Sequence, residues 1–352
     1  MNHVDYIIVG QGLAGSVLAY ELMQNNQQVL VVDEEKENTS SRIAAGMCNP
    51  VVFKRLTKSW LIDEVMPSAL SFYRNQEELL NQQFYYDIPI YKLFVDEKEA
   101  EFWKQKSNEP QLFDWISHKV EFPFQQEYIT HPCGAAKTLQ SGFLKTVKWL
   151  DNFRGYLKEK NSYLNESFDY EKISFNNDKV IWNGIEAKQI IFCEGYQCIN
   201  NPYFSWLPFK LTKGETLTVS FENLQLDSAI NKGMFVLPYN GNYKIGATYD
   251  WDNLDEKTTS EGREELLKKV SKFISDKVEV VEHTAGVRPT VKDRRPLIGT
   301  HPKHKQLCVF NGLGTKGVML APYLAQKLVN CLLNNSPLPV DININRFKEL
   351  IT

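Results

Sequence analysis

An α/β fold is predicted for this 352-residue chain, with a parallel-sheet domain interrupted by a smaller α+β part built on a mixed β-sheet. Three observations predict it. The N-terminus alternates strand, glycine turn, helix and strand. Two internal stretches, 84–130 and 209–283, are rich in aromatic and β-branched residues at strand spacing. The last third repeats a buried strand, a glycine cluster and a helix.

The N-terminal element carries the most information. Tyr6–Val9 is a short apolar run, and Val29–Val32 is its parallel partner. Between them Gly10, Gly12 and Gly15 have the spacing of a dinucleotide-binding turn. The first makes the turn, the second admits a pyrophosphate to the backbone, and the third lets helix pack on strand. The helix beginning near Leu13 and Ala14 offers unpaired N–H groups and its positive dipole end. Asp33 ends the second strand, 23 residues after Gly10, where a carboxylate takes ribose hydroxyls. A glycine-rich surface turn would explain neither Asp33 nor the apolar strands. The unit is therefore read as a Rossmann-like FAD/NAD(P)-binding domain, and the carboxylate selects an unphosphorylated ribose, so NAD or FAD over NADP.

Composition excludes several classes. Hydrophobic residues make up 43% and charged residues 24%, as in an ordinary globule, and the net charge is −3. No basic domain stands out, so no nucleic-acid partner is expected. No apolar run approaches the length of a membrane span. The chain enters its first strand at Val4, which leaves no room for a signal peptide. Cys48, Cys133, Cys193, Cys198, Cys308 and Cys331 form no CxxC pair, and the histidines show no metal spacing. Reduced core thiols in a cytoplasm, and no metal, are the expectation.

Further along, a helix is expected over 60–80, then strands over 85–95 and 122–130 flanking a helix over 97–106. Residues 135–157 read as helical, and 162–167, 172–175 and 179–182 as short strands. Gln189–Phe192 reads as a buried strand beside the first, closed by Cys193, Glu194 and Gly195. Strands follow at 209–221, 233–237, 243–249 and 278–282, with a helix over 261–274. The final strand, Leu307–Asn311, runs into Gly312, Gly314 and Gly317 and a helix to about residue 334. Residues 1–83, 131–208 and 284–352 are assigned to the nucleotide domain, and 84–130 and 209–283 to a discontinuous substrate domain.

In order and spacing, these features resemble the D-amino-acid oxidase family of FAD enzymes, which includes glycine oxidase and sarcosine oxidase. The marks are Gly10–Gly15 with Asp33, Ser41–Gly46, Cys193–Gly195, Lys213-Gly214, Tyr243–Thr248, Gly286–Pro289 with Asp293 and Pro296, and Gly312–Gly317. The resemblance implies FAD as cofactor and an amine or amino acid as substrate, with oxygen or a quinone as acceptor. It places Ser41, Arg42, Ala45, Gly46 and Met47 at the flavin and Phe168 near adenine; Glu34, next to Asp33 at the start of a solvated charge run, is a further cofactor-binding candidate. It puts Gly314, Thr315, Lys316 and Gly317 at the flavin's pyrimidine end, where a dipole and a cation suit the charge of reduced flavin.

Three side chains are the catalytic candidates, Lys316 being one. Arg288 either holds a substrate carboxylate or pairs with Asp293 or braces the flavin loop; a planar fork suits a carboxylate. Lys244 either approaches the flavin, as in sarcosine oxidase-like members, or faces solvent. Tyr239, Tyr249 and Trp251 either line a pocket or fill the second domain. Two departures stand out. Glu194 occupies a position usually small, and Thr315 stands where glycine oxidase-like proteins offer a second arginine. The 312–317 run is also similar to the oxidase domain of a bacterial tRNA wobble-uridine modification enzyme. The expected reaction is hydride transfer from a C–N bond, giving an imine that hydrolyses. The alternatives are the same chemistry on a tRNA carboxymethylamino group, or FAD binding without turnover.

Overall fold

The computed structural model describes residues 3–351; residues 1, 2 and 352 of the expected nucleotide domain lie outside the described residues. Strand β1 (Tyr6–Val9), helix α1 (Leu13–Gln24) and strand β2 (Val29–Asp33) form as the motif predicts. A six-stranded sheet grows around them in the order Tyr163–Asn165, β2, β1, Gln189–Phe192, Leu307–Asn311, Leu297–Thr300. The first five strands are parallel and the last antiparallel. Both faces are covered, which explains the uninterrupted apolar runs. In β1, Tyr6 and Ile8 join a core with α1 and the helices Ile62–Leu80, Thr146–Glu159 and Gly317–Asn334. Ile7 and Val9 face the opposite core, with Trp182 of a three-stranded meander and Phe204.

A seven-stranded mixed sheet stands beside it, ordered Val278–Arg288, Thr212–Phe221, Asn242–Gly246, Phe235–Tyr239, Ala229–Asn231, Ile90–Leu93, Ala135–Thr138. Period-two alternation divides its long strand. Leu217 and Val219 pack on Leu266 and Val270 of the helix Ser260–Val270. Gly214 and Thr216 turn to the opposite face, where the cavity lies.

The structure departs from expectation in four places, the first being the strand expected over 278–282, which runs on to Arg288 in the mixed sheet although residues 284–352 are assigned to the nucleotide part. Residues 135–157 are not one helix: two strands, Ala135–Thr138 and Gly142–Leu144, precede the helix Thr146–Glu159. Gly142 fits there because a Cβ would sit 2.4 Å from the Tyr86 carbonyl. The first of those strands pairs with Ile90–Leu93 in the mixed sheet, although its sequence position falls in the 131–208 stretch assigned to the nucleotide part. The strand expected over 85–95 is split at Ile88-Pro89 into Tyr85–Asp87 and Ile90–Leu93, which join different sheets. Residues 122–130 form no strand; Pro123 and a polar Gln125–Glu127 stretch leave only isolated bridges at Glu121 and Ile129.

Candidate active site

A single elongated cavity of about 650 Å³ runs from the end of β2, across the glycine turn, to the face of the mixed sheet. At its first end Asp33 is oriented by two backbone donors: Oδ2 accepts from the Gln11 N–H at 2.8 Å and Oδ1 from the Glu35 N–H at 2.8 Å. Glu34 and Phe168 share this end, the Phe168 ring stacked 4.7 Å from Trp182. Gly10 has φ +99°, and a Cβ there would lie 2.7 Å from the Cys193 carbonyl oxygen. A Cβ on Gly15 would lie 1.9 Å from the Gly10 carbonyl oxygen, so helix meets strand only at glycine. Gly12, Leu13 and Ala14 line the middle of the cavity, and the Leu13 N–H donates to Ser41 Oγ at 3.0 Å.

Ala45, Gly46 and Met47 form the next wall. Gly46, at φ +74°, passes so close to Leu144 that a Cβ would overlap its carbonyl. Cys193, Glu194 and Gly195 line the opposite side. Burial pushes the Glu194 carboxyl up to about 7, opposed by hydrogen bonds from Asn201 Nδ2 and Tyr170 Oη. Gly314, Thr315, Lys316 and Gly317 bring a second helix N-terminus to the cavity. Lys316 Nζ donates to Ser59 Oγ, and burial lowers its amine to about 8.

The mixed sheet supplies the far end. Thr212 pairs with Arg288 and Gly214 with Gly286. Arg288 lies across Gly214 so closely that a Cβ there would come within 1.9 Å of its Nη2. Its Nη1 donates to the carbonyls of Lys213 (3.3 Å) and Thr248 (3.5 Å), and the Tyr249 ring stacks over it at 4.9 Å. No carboxylate among the described residues pairs with it. Asp293 instead binds Arg346, so of the alternatives for Arg288 the pairing with Asp293 is not formed.

Four expected site residues do not line the cavity. Arg42 turns away and pairs with Asp151. Gly15 and Gly312 act through packing; Gly312, at φ +72°, is closed in by Val291 and Leu297. Lys244 sits on the cavity-facing side of its strand, opposite Thr218, one step beyond Gly246. It is 7% exposed, so it is no solvent-facing lysine, and its Nζ lies 4.5 Å from the Tyr239 ring centroid. Burial lowers its pKa, opposed by Glu282. Tyr249 lines the cavity, whereas Cys48 and Cys308 are fully buried core. Met234, Phe235, Thr216 and Asn49 also line it and had no sequence signal of their own. The exception in part is Thr216, which follows the marked Gly214 at strand spacing.

The donor set fits a dinucleotide flavin. Two helix N-termini open on one cavity, α1 has no side-chain cap at Gly12, and a carboxylate stands at the ribose end. Residues 5–330 match the family described as "DAO: FAD dependent oxidoreductase", and the chain belongs to that family of FAD-dependent oxidoreductases. Its cofactor is FAD. The crystal structure of glycine oxidase from Geobacillus kaustophilus superposes with TM-score 0.80 at 19% identity, covering 96% of each chain. That of iminodiacetate oxidase from Chelativorans sp. BNC1 superposes with TM-score 0.79 at 15% identity, covering 97% of this chain and 98% of that one. Both show the fold. Over 314 residues the sequence is 27% identical to the tRNA 5-methylaminomethyl-2-thiouridine biosynthesis bifunctional protein MnmC of Legionella pneumophila subsp. pneumophila strain Philadelphia 1. That match covers 84% of this chain but 45% of the relative, so the chain spans about half the length of that protein. Among the described residues no helix is long and apolar enough to cross a membrane, and no His/Cys/Asp/Glu cluster could hold a metal.

Proposed function

We propose that the protein oxidises the C–N bond of a carboxylate-bearing amine, either an amino acid or a secondary amine. The observation that carries this reading is Arg288. Its guanidinium is pinned by two carbonyls and a glycine slot, is stacked under Tyr249, and has no acidic partner among the described residues. One edge is thus used for positioning, and the remaining N–H donors are free to take a carboxylate as a fork. Bound FAD supplies the two-electron acceptor, taking hydride from the carbon beside the amine. The protein's task is to hold that carbon against the flavin and to exclude water.

Thr216, Phe235, Gly246 and Ala247 line the same cavity as Arg288 and would form the walls around the amine and its α-carbon. Loss of hydride and of the amine proton leaves an imine, which water converts to an amine and a carbonyl compound. Lys316 and the adjoining helix N-terminus would supply a cation and a dipole that favour negative charge on bound FAD. Lys244, outside the cavity lining, has no part in this reading. Oxygen or a quinone would serve as the final electron acceptor for bound FAD.

The test is an anaerobic visible spectrum of the purified holoprotein during addition of glycine, sarcosine, D-amino acids and secondary amines. Bleaching by a carboxylated member is expected. Bleaching only by amines lacking a carboxylate would overturn the reading.

A second reading keeps the chemistry and enlarges the substrate to a carboxymethylamino group on a tRNA uridine. The match to the bifunctional tRNA-modification protein and Thr315, in place of a second arginine, favour it. Bleaching by tRNA carrying that group, with no response to free amino acids, is the outcome that would select it.

A further inference from the structure

Two large aromatic side chains stand exposed in a row, the first over Arg288 and the second against the first. Tyr249 is 58% and Trp251 56% exposed. Their rings are stacked, with centroids 6.2 Å apart and an interplanar angle of 23°. The segment between them is clamped rather than loose. Lys213 and Asp250 exchange backbone hydrogen bonds, N–H to carbonyl, at 2.8 and 3.1 Å. The Asp250 carboxylate accepts from the N–H groups of Asp252 and Asn253 and from Asn253 Nδ2. Further along, the buried Lys213 ammonium holds Asp255 at 2.6 Å, and the Glu215 carboxylate accepts from the Thr259 N–H and hydroxyl. Residues 213 and 215 of one strand therefore hold the 250–259 loop at Asp250, Asp255 and Thr259. With Asp250 clamped, Tyr249 and Trp251, two residues apart, project to the same side.

Adjoining exposed aromatic rings form an apolar patch of the kind that marks a contact surface. The Tyr249 ring has one face toward the Arg288 guanidinium, 4.9 Å away, and carries the stack outward from the cavity. A substituent on the amine of a molecule held at Arg288 would have Tyr249, and Trp251 beyond it, as its nearest exposed aromatic surface. A flat, rigid, solvent-exposed aromatic surface beside a carboxylate anchor suits a planar ring, which gains stacking at small entropic cost.

We infer that Tyr249 and Trp251 form a stacking platform for a planar ring on the substrate, so the substrate class is a carboxylate-bearing amine that carries an aromatic or nucleobase ring. The inference rests on the Arg288 reading and deepens it. The two sources of the ring, an aromatic substituent or a nucleobase, share the same stacking chemistry.

The experiment is a titration of the holoprotein with two carboxylates that cannot be oxidised at a C–N bond, phenoxyacetate and methoxyacetate, read by perturbation of the flavin absorbance. Phenoxyacetate is expected to bind at least about fivefold more tightly. Trp251→Ala removes that preference and leaves methoxyacetate affinity unchanged, while Trp251→Phe retains most of it. Equal affinities in the wild type, or a preference that survives Trp251→Ala, overturn the platform and leave the Arg288 anchor standing. If neither acid perturbs the flavin, the anchor itself fails and the platform with it. Anaerobic bleaching by N-benzylglycine or by 5-carboxymethylaminomethyluridine, in preference to sarcosine, supports the platform and identifies which kind of ring it takes. A preference for sarcosine over both overturns it.

Discussion

The two sheets meet the cavity in opposite ways. The parallel sheet offers its strand ends: backbone N–H groups, glycines without side chains, and one carboxylate on β2. The mixed sheet offers its broad face: Arg288, Thr216, Phe235 and Tyr249. A backbone site serves a ligand whose recognised parts, pyrophosphate and ribose, are fixed. A side-chain site can change its ligand by a few substitutions while the cofactor half stays as it is. This contrast implies that damage to the first region removes the flavin, whereas damage to the second leaves a yellow protein that handles substrate badly.

The largest effect expected is at the glycine turn. Gly12→Val adds bulk where a Cβ already lies 2.9 Å from Ser41 Oγ and where a pyrophosphate approaches the backbone. The variant should purify folded and colourless, as measured by the ratio of visible to ultraviolet absorbance with circular dichroism as the control. A flavin-loaded Gly12→Val would break the contrast at its first term.

On the mixed sheet, Arg288→Ala should keep its flavin and lose about 1.5–3 kcal/mol of apparent binding for a carboxylated substrate, the worth of a charged hydrogen bond. Gly214→Ala sharpens the point. Its new methyl falls on the guanidinium, so it should displace Arg288 and reproduce much of the same rise in KM with FAD content unchanged. An unaltered KM in both variants would remove Arg288 from substrate binding.

A smaller effect is predicted from pH. Burial holds the Lys316 amine at about 8, below its ordinary 10.5. Between those values the unfolded chain binds a proton that the folded one does not, so stability rises with pH across that window. The cost of burying the charge is fully present below about pH 8. Lys316→Met should flatten this rise, as seen in urea unfolding at pH 7.5 and 9.5 with FAD held constant.

The smallest effect belongs to Arg42. Its pair with the half-exposed Asp151 is worth less than about 1 kcal/mol. Because the side chain points away from the cavity, Arg42→Ala should leave FAD affinity within about twofold, measured by fluorescence titration of stripped protein.

The same contrast explains what the sequence made legible. The cofactor half is written locally: Gly10, Gly12, Gly15 and Asp33 lie within one strand–helix–strand unit, and each position has a steric or electrostatic reason readable from spacing. The substrate half depends on pairings between distant segments. Nothing near Gly214 in sequence announces that it will lie under Arg288, 74 residues later; strand register puts them there. Likewise Arg42 and Asp293 had plausible local roles that long-range partners, Asp151 and Arg346, took instead. The misread stretch at 135–157 failed for a related reason. Its apolar periodicity suits a helix, but Gly142 and the turn at Gln140, with φ +50°, break it into strands that pair with residues some fifty positions earlier.

The central claim is that one cavity joins an FAD site to a carboxylate anchor at Arg288. The most direct measurement compares anaerobic flavin bleaching by a carboxylated amine and by its decarboxylated counterpart, such as sarcosine against dimethylamine or N-benzylglycine against N-methylbenzylamine, in the wild type and in Arg288→Ala. Expected are bleaching by the carboxylated member in the wild type, a strong preference over its counterpart, and loss of that preference in the variant with the flavin still bound. Equal bleaching by both members in the wild type, or a preference untouched by Arg288→Ala, would contradict the claim.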